Sequence, residues 1–304
     1  MVVKKVLYNS GAERIAVCRD SQWKLLKPKL DFLEFLRQTS ESESLDLEEF
    51  EPNEFSDLIP LRPTAYRDFM LYEKHVVEAG RGYVKKYLPK LLPIVNGYEK
   101  VFGKPFPMLK PKARYYEHPI YYMGNHLNFV TNGDKVAIPS YTNELDYELE
   151  LVAIISKPLK NAKEVDVIDA IAGFAILNDF SARDVQKSEM ESGFGPMKTK
   201  NFANGISAAV APKSSLIDRL DSLKVKVVIN DKLIATGNTS GARYSLIEAI
   251  VYASWEEQLH PGELFGSGTI PGCSGLENGV MLSPQDIITL EVEGIGQLRN
   301  EIVQ

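Results

Sequence analysis

Cysteine is almost missing from this 304-residue chain, which has only Cys18 and Cys273. Two thiols so far apart can build neither a thiolate zinc site nor a disulfide framework. Histidine is scarce too, with four residues: His75, His118, His126 and His260. No apolar run approaches the roughly 18 residues of a membrane span. Nor is there a block of Lys and Arg interleaved with aromatics, and the net charge is −6. Nucleic acid and membrane surfaces are therefore not expected partners. The opening residues, "MVVKKVLYNSGAER", turn polar too early for a signal peptide, so a cytoplasmic location is expected.

What is present is an ordinary globular composition, 44% hydrophobic and 25% charged. Strand-like runs "KKVLYN", "RIAVCRD" and "QWKLL" precede "LDFLEFLRQT", where Leu30, Phe32, Leu33 and Leu36 fall near helical spacing. An acidic, Ser-rich stretch, "SESESLDLEEFEPNEFSD", follows and reads as a solvated connector. Residues 1–58 are expected to form a small N-terminal α/β module and 59–304 the main domain. In the latter, a helical stretch, "MLYEKHVVEAGRGYVKKYL", leads into many short β-type runs, with hairpin-like turns at "TNGDK" and "INDKL". Two further helices are expected in "EVDVIDAIAG" and "SLIEAIVYASWEEQL". No regular β-α-β alternation is visible, which argues for α+β with a mixed, rolled sheet and against a doubly wound one.

Three stretches can carry chemistry. "LDYELELVAII" places Asp146, Glu148 and Glu150 on one face of a strand. Either that face meets water, or the acids hold a cation, since like charges side by side repel. "AIAGFAILNDFSARDVQ" is an apolar run that ends abruptly at Asn178-Asp179. Asp179 is either a turn former or a third oxygen ligand. An all-carboxylate site suits a hard ion: Mg²⁺, Mn²⁺ or Ca²⁺. In "YEKHVVEAGRG", His75 and Glu78 share a helix face. The histidine is either structural or a general base oriented by Glu78. Gly80 and Gly82 would let this segment act as a lid.

The order Tyr72-x-x-His75-x-x-Glu78, "YELEL", "NDFSARDVQ", Lys200 in "KTKNF" and "LHPGELFGSGTIPG" resembles the fumarylacetoacetate hydrolase superfamily. The resemblance spans about Leu61 to the C-terminus. It implies a rolled-sheet catalytic domain, usually homodimeric, with a divalent cation on Glu148, Glu150 and Asp179. It also implies a further acid, Asp68, seven residues before His75, and a catalytic pair of His75 and Glu78. Tyr72, Tyr122, Arg183, Gln186, Lys200 and Thr269 would contact a small oxo-acid substrate. The activity implied is hydrolysis of a carbon–carbon bond in a 1,3-diketo or acylpyruvate-type acid. The alternative is decarboxylation, isomerisation or dehydration of a 2-oxo or 2-hydroxy-dienoic acid by the same enolate chemistry.

The sequence departs from the family pattern in three places. Met70 stands where fumarylacetoacetases have Tyr, and Asn125 where they have Arg. Ser283 stands where counting along the chain places the Glu that supports the catalytic His. The last departure raises a further alternative, an inactive metal-binding member.

Overall fold

Alternation and β-branching set the strands that frame the fold. A computed structural model describes residues 1–8, 11–39, 45–50 and 55–304. Among these, thirteen strands form one large sheet and five a second, with the two-stranded ladder Leu145–Asp146/Ser181–Ala182 beside them. Most pairings are antiparallel. Three are parallel: Tyr66–Phe69 with Leu264–Gly266, Phe129–Val130 with Asn204–Ile206, and Lys135–Ala137 with Gly296–Val303. The sheet is therefore mixed, as the missing β-α-β alternation implies.

The centre of the large sheet is Leu149–Ile155, flanked by Ile171–Asn178 and Leu264–Gly266. Its side chains alternate between two cores. Leu149, Leu151, Ala153 and Ile155 pack in a cluster that includes Val225, Val227 and Leu290 of the five-stranded sheet. Val152 and Ile154 face the other way, onto Val3, Ile15, Val17, Leu36 and Tyr66. Each such fully buried aliphatic side chain is worth about 1.5–3 kcal/mol. With period 2, Glu148 and Glu150 continue the second face beyond its apolar part.

The N-terminal strands do not stand apart in packing. Val2–Tyr8 pairs with Ala209–Pro212, so the three strands Val2–Tyr8, Glu13–Arg19 and Gln22–Leu26 extend the large sheet. The acidic stretch is not simply a solvated connector where it is described. Leu47–Glu48 pairs with Gln22–Leu26, Phe55–Asp57 pairs with Val2–Tyr8, and Phe50 and Phe55 pack on Val6, Ala16 and Leu25. Its apolar residues override its charge. Residues 40–44 and 51–54 of that stretch lie outside the described residues.

Both turn motifs form, but only one closes a hairpin. Asn230 and Asp231 both have positive φ and join Lys224–Ile229 to its partner Lys232–Asn238. At "TNGDK", Gly133 has φ 84° and the Asp134 carboxylate accepts the Thr131 N–H at 2.7 Å. Its flanking strands belong to different sheets, so this turn carries the chain from one to the other.

The expected helices form at Phe32–Thr39, Glu73–Tyr87, Glu164–Ala170 and Leu246–Ala253. Leu92–Phe102 and Arg183–Glu191 are helices that the apolar spacing did not announce. Among the described residues, no helix is long and apolar enough to cross a membrane.

Candidate metal and proton-transfer site

The parallel pair Tyr66–Phe69 and Leu264–Gly266 brings Asp68 level with Gly266, which lies opposite Val152. A Cβ on Gly266 would lie 2.5 Å from Asp68 Oδ1 and 3.0 Å from Glu150 Oε2. Glycine there leaves room for two carboxylates. Asp179 follows the next strand, and its N–H donates to the Glu148 carbonyl at 3.1 Å. The Asn178 side-chain carbonyl in turn accepts the Glu148 N–H at 3.0 Å. The Asn-Asp pair thus locks the third acid beside the first two.

Asp68, Glu150 and Asp179 converge, with one oxygen of each lying within 4.8 Å of the others. All three are at most 5% exposed. Among the described residues, Asp68 Oδ1 and Asp179 Oδ1 are buried without a hydrogen-bond partner. Burial and mutual repulsion raise the carboxyls of Glu150 and Asp179 well above their ordinary range, and burial raises that of Asp68. Two orphaned oxygens in an all-oxygen cluster fit a hard divalent cation.

Glu148 is buried beside this triad but is turned toward cations. Its Oε1 accepts from Arg183 at 2.5 Å, and its Oε2 accepts from Lys200, which also donates to Asp179 Oδ2. Burial would raise the Glu148 carboxyl, yet Arg183, Lys200 and His75 hold it well below its usual range. The convergent triad is therefore Asp68, Glu150 and Asp179, with Glu148 carrying the positive side chains. Gln186 accepts from Arg183 at 2.8 Å. Tyr122 pairs with Asp68 across the sheet, and its buried hydroxyl has no partner. Thr269 is buried just past Gly268, whose N–H donates to Glu150 at 3.1 Å.

His75 sits at the edge of this cluster. Nε2 is 3.5 Å from Glu148 Oε1, and Nδ1 is 3.1 Å from Glu277 Oε2, short but outside hydrogen-bond geometry. Burial pushes the ring down, and the two carboxylates more than offset it, raising His75 to about 9. Glu277 is held by a capping box on the short helix Gly275–Asn278. It accepts from Ser274 Oγ at 2.8 Å and from the Gly272 N–H at 3.0 Å.

Four expectations are corrected here. Glu78 does not orient His75; it pairs with Arg81, which also holds Glu99, on a more exposed part of the helix. A helical i,i+3 pair shares a face only broadly, and the arginine takes the acid. The supporting carboxylate is not missing either. Ser283 lies in an exposed turn with Asp286, and Glu277, six residues earlier, occupies the place beside His75. That removes the observation behind an inactive member. Tyr72 is a core residue whose hydroxyl donates to the Thr239 carbonyl at 3.0 Å. Gly82, expected to let this segment act as a lid, is a close approach, because a Cβ there would lie 2.1 Å from the Leu276 carbonyl oxygen.

Asp146, on the strand face that was to meet water or hold a cation, has no exposed surface and binds Arg183 at 2.6 Å. The Ser274-x-x-Glu277 pattern could have flagged Glu277 in the sequence. Nothing local distinguished Asp146.

Comparison with known proteins places this geometry. The fumarylacetoacetate (FAA) hydrolase C-terminal family matches residues 67–303, which contain every residue of the site. A bifunctional isomerase/decarboxylase of 4-hydroxyphenylacetate degradation from Escherichia coli is 29% identical over 58% of this chain and 39% of its own length. A mitochondrial oxaloacetate tautomerase of Xenopus laevis is 29% identical over 62% of this chain and 59% of its own. The chain thus spans less than two thirds of either relative. Among solved structures, a fumarylacetoacetate hydrolase from Exiguobacterium antarcticum superposes with TM-score 0.74 at 18% identity, covering 100% of this chain and 99% of that one. A 5-carboxymethyl-2-hydroxymuconate delta-isomerase from Mycobacterium smegmatis gives 0.70 at 16%, covering 100% and 98%. At such identities the superpositions establish the fold.

Proposed function

The chain belongs to the fumarylacetoacetate hydrolase family, and from that premise we propose that it is a divalent-cation-dependent enzyme that cleaves a carbon–carbon bond in a small 1,3-diketo or acylpyruvate-type acid. The observation that carries this is the imbalance of charge around one buried point. Six carboxylates, Asp68, Asp146, Glu148, Glu150, Asp179 and Glu277, face two permanent cations, Arg183 and Lys200, and one histidine. Buried charge on that scale needs compensation.

Asp68, Glu150 and Asp179 would hold Mg²⁺, Mn²⁺ or Ca²⁺. When bound, such an ion supplies Lewis-acid stabilisation of negative charge on substrate oxygens. Lys200 and Arg183 would bind those oxygens as charge develops. His75, in its neutral form, would accept a proton from water at Nε2. Glu277, beside Nδ1, would orient the ring, and such base catalysis is typically worth about 10²–10⁴-fold. Tyr122, Gln186 and Thr269 line the same region and would set the substrate's pose. Assembly as a homodimer belongs to this proposal, and sedimentation velocity tests it.

A second reading is favoured by the relatives, named as an isomerase/decarboxylase and an oxaloacetate tautomerase. There His75 would move a proton to or from substrate carbon rather than water. One panel separates the readings: acylpyruvates, oxaloacetate and 2-hydroxy-dienoic acids with added Mg²⁺ or Mn²⁺. Cleavage of acylpyruvates supports the first reading. Inert acylpyruvates with proton exchange or decarboxylation of oxaloacetate would replace it with the second.

A further inference from the structure

Asp146 has no part in the chemistry above, yet its carboxylate accepts four hydrogen bonds from three segments. Oδ1 takes the N–H of Tyr147 at 2.7 Å and of Gly275 at 2.6 Å. Oδ2 takes the Leu276 N–H at 3.0 Å and Arg183 Nε at 2.6 Å. Arg183 reaches onward to Glu148, and Gly275-Leu276 opens the short helix that carries Glu277. One buried side chain therefore joins the cation-binding edge of the site to the support of its histidine.

The fit is tight on both sides. A Cβ on Gly275 would lie 2.3 Å from Asp146 Oδ1 and 2.3 Å from the Val280 carbonyl, so the clamp closes only over glycine. On the far side the His75 helix presses Gly82 against the Leu276 carbonyl. The short helix is held between Asp146 and the helix of the histidine that its Glu277 faces. Four converging donors also demand a group that only accepts. An amide at this position would turn an N–H toward one of them.

We infer that Asp146 is a positioning residue, which clamps Arg183 to Gly275-Leu276 and thereby fixes the approach of Glu277 to His75. The inference rests on the reading of His75 as the proton-transfer group.

The test uses the full chain with Asp146→Asn, Gly275→Ala, Glu277→Gln and the Asp146→Asn/Glu277→Gln double variant. For the best substrate of the panel, Asp146→Asn is expected to lower kcat at least about tenfold, with KM and Mn²⁺ affinity within about threefold of the parent. In the Glu277→Gln background it should add less than about twofold, because both changes act through one contact. The ring ¹⁵N resonances of His75 should move toward their Glu277→Gln positions, and they decide the matter even where no substrate turns over.

If Glu277→Gln itself leaves turnover and resonances unchanged, the base reading fails. If Glu277→Gln is impaired while Asp146→Asn matches the parent, or its loss adds in full, the positioning role is overturned. Failure of both Asp146→Asn and Gly275→Ala to fold would overturn it too, because Asp146 would then hold the fold rather than the dyad.

Discussion

Arg67 and Asp68 are neighbours on one strand, and period 2 sends them to opposite faces of the sheet. Arg67 meets Glu263 and Glu257 between the rings of Tyr121 and Phe265. Glu263 is buried, but the Glu257 side chain is 47% exposed, so water shares the excess negative charge. Asp68 meets Glu150 and Asp179 in a fully buried cluster with two orphaned oxygens. Burial tends to lower the Arg67 guanidinium, yet the acids beside it raise it, whereas burial and neighbouring acids together push Glu150 and Asp179 toward neutrality. The first cluster is balanced by its arginine; the second keeps unpartnered oxygens that fit an added cation. What sets the candidate site apart is therefore the imbalance of its buried charge rather than the amount.

That contrast can be broken most strongly on the acidic side. Glu150→Gln with Asp179→Asn should abolish cation binding and lower turnover at least about a thousandfold, since several kcal/mol of charge stabilisation is lost. The same variant should melt no lower than the metal-free parent, because like-charge repulsion is relieved; calorimetry without added metal checks this. His75→Ala should cost about 10²–10⁴-fold in kcat while keeping the cation. Unchanged turnover would remove it from the mechanism.

On the balanced side, Arg67→Met leaves Glu263 buried and unpaired, with an expected loss of about 3–5 kcal/mol in urea unfolding. Adding Glu263→Gln should recover part of that loss. Recovery would not be expected if Arg67 served the active site instead. The smallest effect should come from Glu78→Gln. Its half-exposed pair with Arg81 is worth at most about 1 kcal/mol, and turnover should stay within about twofold. A large drop in turnover would restore Glu78 to the place now given to Glu277.

Much of this was readable in one dimension. Alternation and abrupt polar endings marked Leu149–Ile155 and Ile171–Asn178 as strands delivering Glu148, Glu150 and Asp179 to one end of a core. Local pattern also located the His75 helix. What stayed hidden depends on contacts between distant segments. Asp68, expected only from the family resemblance and not from local pattern, joins the triad because two strands nearly 200 residues apart run parallel. Glu277 reaches His75 because a short helix docks on Gly82, which spacing within either segment cannot show. Counting along the chain therefore pointed to Ser283. Asp146 looked like one more acid on a wet strand face, because its four donors lie on segments that the sequence separates. The turn at Gly133 was legible as a turn, but which sheets it links is a matter of topology.

The central claim is that the buried acids hold one divalent cation per chain. Its most direct measurement is a Mn²⁺ titration of metal-stripped protein, followed by calorimetry and by the paramagnetic spectrum, alongside Glu150→Gln. One saturable site in the parent, competed by Mg²⁺ and lost in the variant, is the expected result. Undetectable binding in the parent, or an equal site in Glu150→Gln, would contradict it.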